Sequence, residues 1–236
     1  MFQAVHARAW ARTAGVLYLI VIAGGMFAEA FVRQGLLAPH NAPATAANLV
    51  ANQFLFRLAF IADMIPLLCN AGLAVIFYGL FARVSQPIAV LAVILSLIGT
   101  ATQAAALLFH IQPLLLLDGN PGLAALGEPQ RQALAYLSLR LMETGYTSAL
   151  LFFGCFGLCL GYLIFRSGFM PRLLGVLMSV AGFCYFSNSM LYFLAPSLAS
   201  IFLLLPCLVG ELGLALWLTF VGLNPSKWEA KGNPLA

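Results

Sequence analysis

The chain has 236 residues, 63% of them hydrophobic and only 8% charged. Soluble domains carry roughly 25% charged and about 45–50% apolar residues, so the composition excludes a water-soluble fold and makes the lipid bilayer the first expected partner. The net charge of +4, from 11 Lys and Arg against 7 Asp and Glu, is too thin and scattered for a nucleic-acid surface, and no nucleic-acid partner is expected.

In hydrocarbon a spanning segment must satisfy its own backbone hydrogen bonds, which a helix does and an open strand does not. The apolar runs are too long and continuous for the alternating pattern of a membrane barrel. The expected fold is all-α, a polytopic integral membrane protein whose single domain is a bundle of six transmembrane helices. The spans fall at about residues 13–32, 54–81, 87–109, 143–165, 173–194 and 198–221, each near the roughly 20 residues that cross a bilayer.

Arg8 and Arg12, the first apolar run and Ala28-Glu29-Ala30 resemble a cleavable signal peptide. The run is long enough to span, and we read it as a retained first helix. A longer loop with Pro43 follows, from His40 to Asn52, with scope for a short helix at the membrane surface. Ser85-Gln86-Pro87 separates spans two and three, and Asp118-Gly119-Asn120-Pro121-Gly122 is a turn-rich stretch after span three. Span four has an ambiguous start. One helix from Gln130 to Phe165 would be about 54 Å long, against a hydrocarbon core of about 30 Å. Its first part must therefore project beyond the bilayer or lie along it, with Gly145 as a plausible bend. Arg166-Ser167-Gly168, Met170-Pro171 and Ala195-Pro196-Ser197 mark the last two breaks. The five cysteines, Cys69, Cys155, Cys159, Cys184 and Cys207, all lie in apolar segments and read as small packing residues. Three spans per half would give an inverted repeat, but the only textual echo is Leu17-Tyr18-Leu19-Ile20 against Gly161-Tyr162-Leu163-Ile164.

Orientation is read from Lys and Arg. With the N-terminus inside, seven cations fall on the cytoplasmic side: Arg8, Arg12, Arg83, Arg166, Arg172, Lys227 and Lys231. Four fall outside: Arg33, Arg57, Arg131 and Arg140. The excess favours both termini in the cytoplasm.

Ionisable residues inside a span cost about 2.5–3.5 kcal/mol each on insertion scales, so they face the interior and find partners. The candidate ligand-binding set is Glu29, Asp63, His110, Arg140, Glu143, Asn188 and Glu211. Helix directions place all of them in the outer half or at the midplane, and leave the inner half nearly pure hydrocarbon. Glu29 and Arg33 are four apart and Arg140 and Glu143 three apart, so each pair shares a helix face. Tyr185, Asn188 and Tyr192 form another stripe. Gly210 and Gly213 flank Glu211 and would let a second helix approach closely. Glu211 is expected to bond Asn188 or Tyr192 unless an arginine reaches it.

Metal chemistry finds little support. The segments lack the Glu-x-x-His motif of di-metal bundles and the His-Glu-x-x-His of zinc proteases, and His6 and His40 lie outside the spans. No metal or other cofactor is expected. No serine-hydrolase elbow is present either, and the chain leans away from being an enzyme.

Several segments together resemble one known family. They are Ala14-Gly15-Val16-Leu17-Tyr18-Leu19-Ile20, Leu55-Phe56-Arg57, the stretch from Gly161 to Gly168, Pro171-Arg172-Leu173-Leu174-Gly175, Gly210-Glu211 and Leu216-Trp217-Leu218. The chain is similar, from about Ala9 to Trp228, to a bacterial membrane-protein family, the domain of unknown function 4386. The resemblance implies six spans in the bacterial inner membrane and no established activity. It also implies that Glu29, Arg57, Asp63 and Glu211 match positions the family uses.

Three functional expectations stand side by side. The first is binding or carriage of a small polar ligand or lipid headgroup in an outward-facing polar cavity. The second is a structural or partner-binding subunit, in which Arg33, Arg57 and Arg140 neutralise Glu29, Asp63 and Glu143. The third is a metal- or carboxylate-dependent membrane enzyme, which needs His110 within reach of two carboxylates.

Overall fold

A computed structural model describes residues 4–232. The first span begins as α1 (Ala4–Met26), passes through a π-helical turn (Phe27–Arg33) and ends in a single turn, α2 (Gln34–Leu36). A short helix, α3 (Ala42–Ala51), fills the loop. It starts where the Asn41 side chain accepts from the Ala44 amide and Pro43 occupies the first turn, a residue pair suited to opening a helix. The other spans are α4 (Gln53–Phe81), α5 (Gln86–Leu117), α6 (Glu128–Ser167), α7 (Arg172–Leu194) and α8 (Leu205–Phe220), followed by α9 (Pro225–Glu229). Among the described residues, six helical segments are long and apolar enough to cross a membrane. No strand occurs among the described residues.

The six long helices close into a ring in chain order. Each packs on its neighbour in sequence, and α8 returns to pack on α1. Helix direction defines two ends of this ring. At the proximal end α1 begins and α8 finishes. At the distal end lie α2, α3 and the start of α6. Large apolar side chains such as Leu68, Leu108, Leu173 and Phe183 point outward and are exposed. In water such a surface would be an aggregation hazard, and in lipid it is the solvated face.

The proximal half holds the largest apolar core, including Leu80, Phe81, Leu160, Leu163, Ile164, Leu214 and Leu218. Trp228 of α9 is fully buried there and donates its indole N–H to the Leu80 carbonyl at 2.9 Å. Arg83 covers the Trp228 ring at 3.7 Å. A second core at the distal end joins Leu36, Leu49, Phe56, Leu114 and Leu139, one from each of five helices.

Backbones of α6 and α7 come very close. A Cβ on Gly161 would lie 2.7 Å from the Gly175 carbonyl oxygen, and one on Gly182 would lie 2.6 Å from that of Gly154. Only glycine fits at both places. Gly210 likewise meets the Leu177 carbonyl at 2.7 Å, whereas Gly213 has merely ordinary contacts at 4.0 Å. Of the two glycines flanking Glu211, one serves the close approach expected of both.

Two spans are longer than their apolar runs suggested. Helix α5 continues to Leu117, about 48 Å in all, and α6 is unbroken from Glu128, about 60 Å. No helix break occurs at Gly145. Its Cβ position would meet Ala106 of α5 at 2.7 Å, so this glycine serves packing. Both helices exceed the roughly 30 Å hydrocarbon core. Their excess length forms the distal platform against which α3 packs.

Candidate functional site

The π turn is the feature that builds the distal polar cluster. The Gln34 amide reaches back five residues to the Glu29 carbonyl, and such wide turns recur at functional sites. Glu29 and Arg33 both sit on it. The Arg33 Nε donates to Glu29 at 2.7 Å, and its Nη1 donates to Asp63 of α4. Arg33 and Asp63 are buried, with Asp63 only 1% exposed, while the Glu29 side chain is 49% exposed. One guanidinium therefore joins a buried carboxylate to a carboxylate at the rim. Arg57, expected to neutralise Asp63, is exposed on α4. Arg33 takes that role because the π turn that carries it packs against α4.

Two prolines shape the same region. Pro66, one turn after Asp63, has no N–H to give the Ala62 carbonyl. That oxygen faces Gly24 of α1, where a Cβ would lie 2.5 Å away. Pro113 follows His110 at the same three-residue spacing and leaves the Phe109 carbonyl without its helical donor.

His110 is fully buried. Its Nε2 lies 2.9 Å from the Phe56 carbonyl, and its ring stacks on that of Phe56 with centroids 4.0 Å apart. A carbonyl only accepts, so Nε2 carries the proton and Nδ1 is left as an acceptor in the neutral ring. Phe56 shares the distal core with Val32, the residue before Arg33. Three buried atoms in this neighbourhood have no hydrogen-bond partner among the described residues: Arg33 Nη2, Asp63 Oδ1 and His110 Nδ1. They comprise one donor and two acceptors. Buried polar groups are nearly always paired, so three together call for an explanation.

The remaining expected residues hydrogen-bond to partners other than Arg33 and Asp63. Arg140 and Glu143 pair with each other on the surface of α6, with side chains 48% and 44% exposed. The Asn188 side chain accepts from the Ser200 amide at 3.3 Å and holds the loop after α7. Glu211 accepts from Tyr18 of α1 and Tyr185 of α7, each at 3.1 Å. Its expected partners were Asn188 and Tyr192, but Tyr192 instead meets Thr144 at 3.2 Å. Closure of the ring by α8 on α1 brings Tyr18 to Glu211, a contact spanning 193 residues that no local spacing reveals. Tyr185 belongs to the stripe already noted, one turn earlier than expected.

Among the described residues, no three of His, Cys, Asp and Glu gather as a metal ion would require. His110 bonds the Phe56 backbone carbonyl.

Six apolar spanning helices with an outward apolar surface define a multi-pass membrane protein. The model of the family described as Domain of unknown function (DUF4386) matches residues 13–222. The chain belongs to that family, as its resemblance in sequence implied. No curated protein and no solved structure matches it.

Proposed function

We propose that this protein binds a small polar solute at the distal end of the ring, in contact with Arg33, Asp63 and His110. One observation carries the reading: three buried polar atoms at the distal end have no hydrogen-bond partner among the described residues, two of them on the Arg33–Asp63 ion pair and one on His110, which stacks on Phe56 of the distal core. A fitting ligand carries an acceptor for Arg33 and donors for Asp63 and His110, as a hydroxylated or amine-bearing metabolite does. Glu29, half exposed beside Arg33, marks the side from which it would enter. Arg140, Glu143, Asn188 and Glu211 have partners of their own, which supports a structural role for them. The expected seven-residue cavity thus narrows to two of its members plus Arg33.

The positive-inside bias supports a cytoplasmic proximal end. Arg33 is buried in its ion pairs, so three cations remain on the distal surface against seven on the proximal one. The distal site would then face the outside of a bacterial cytoplasmic membrane.

The test is a thermal-shift screen of purified protein against polar metabolites at two pH values. A ligand at 100 times its dissociation constant should stabilise the fold by about 2.7 kcal/mol. Asp63→Asn and His110→Phe should each abolish that shift, and Arg131→Gln should keep it. A ligand whose full shift survives both site substitutions would show that it binds elsewhere and sink this assignment.

A further inference from the structure

We infer that the proximal end carries a binding site for the phosphate headgroup of an anionic phospholipid, between α6 and α7. A cavity of about 470 Å³ opens there, lined by Phe165, Arg166, Gly168, Arg172 and Lys231. Three of these five residues are cations and none is acidic. The site is separate from the distal cluster and does not rest on the reading proposed for it.

The chain builds this pocket deliberately. Gly168 takes a left-handed conformation, φ +73°, and ends α6, a position that suits glycine. The chain then turns tightly into α7, whose first residue is Arg172. No side chain caps that helix start, so its positive end adds to the field. Lys231, beyond α9, is brought back by its ammonium, which donates to the Arg166 carbonyl at 3.2 Å. Residues 65 apart in sequence are thereby held around one concavity. Arg172 sits 5.6 Å from the Phe165 ring centroid, and the ring limits where the guanidinium can swing.

The surface leading away from the pocket favours a lipid over a free phosphate. Leu158, Tyr162 and Phe165 form an exposed stripe on α6, and Leu173, Val176 and Val180 form one on α7. Each follows helical spacing, and each reaches the pocket at its proximal end. Between them the two helices are drawn tightly together at Gly161 and Gly175. Acyl chains can lie along these stripes while the headgroup phosphate meets the cations. Basic pockets between helices at a membrane face are the usual setting for anionic headgroups.

The experiment is native mass spectrometry of the full chain released from mixed vesicles of phosphatidylglycerol and phosphatidylcholine. The wild type should retain phosphatidylglycerol in preference to phosphatidylcholine. Each neutralised cation should weaken that preference by about fivefold, the equivalent of about 1 kcal/mol. Arg166→Gln with Arg172→Gln should therefore lose most of it, and Arg131→Gln, at the distal end, should lose none. Lys231→Gln alone, at an exposed position, provides a milder variant should the double one fold poorly. Equal retention of the two lipids by the wild type would overturn the proposal without recourse to any variant. So would an equal loss in Arg131→Gln, which would mean diffuse attraction by net charge. Binding of glycerol phosphate as tightly as phosphatidylglycerol would show that the acyl chains add nothing, identify a site for a soluble anion and overturn the lipid assignment.

Discussion

Replacing Asp63 by asparagine tests the central feature of the distal cluster. In the native protein the buried Arg33 guanidinium divides itself between Asp63 on α4 and Glu29 on its own π turn. Asp63→Asn leaves that cation with one carboxylate, and this one is half exposed. Breaking a buried ion pair from one side costs about 3–5 kcal/mol, and an unpaired charge at depth costs about 2.5–3.5 kcal/mol on insertion scales. Glu29 and the carboxamide oxygen retain part of the pairing, so a loss of about 3 kcal/mol is expected. Glu29→Gln removes a rim contact instead and should cost about 1 kcal/mol or less. SDS-induced unfolding in bicelles, followed by tryptophan fluorescence, measures both. The double substitution Arg33→Met with Asp63→Leu should recover most of the stability lost by Asp63→Asn, because it removes charge and counter-charge together. If Asp63→Asn and Glu29→Gln proved equally mild, Arg33 would not be anchored to α4 as described.

Other outcomes follow from particular contacts. Tyr18→Phe and Tyr185→Phe each remove one hydrogen bond to Glu211 and should each cost about 0.5–1.5 kcal/mol. A double-mutant cycle between them should show coupling, since they share one carboxyl group. Gly182→Val forces a side chain into the Gly154 carbonyl and should yield little folded protein by size-exclusion chromatography. Gly213→Ala, at a position with room for a methyl group, should fold normally by the same assay. Trp228→Ala should lower stability by about 3–5 kcal/mol and expose the proximal end to protease, as limited proteolysis would register.

The sequence alone determined the class of protein and most of its longitudinal plan. Hydropathy acts locally: an apolar run must be helical in lipid whatever its neighbours do, so six spans and their order were legible. Position along each helix was legible too, because rise per residue is fixed. The i, i+4 spacing of Glu29 and Arg33 gave that pair directly. Span ends were less legible. Helices α5 and α6 run on past their apolar stretches because α3 packs against the projecting turns, and contact between distant segments leaves no mark on hydropathy.

Tertiary structure alone decided which polar residues meet. Height along a helix says nothing of its rotation or its neighbours. One carboxylate set was therefore expected where packing produces an arginine shared by a buried and a half-exposed carboxylate, a surface pair and a tyrosine-bound glutamate. Arg33 rather than Arg57 reaches Asp63 because the π turn that carries it packs against α4, while Arg57 points from α4 to the exposed face. Tyr18 reaches Glu211 only because the last spanning helix closes the ring against the first. Both outcomes depend on side chains from opposite parts of the chain competing for the same neighbour. Such competition is settled by packing geometry, and it cannot be read one segment at a time.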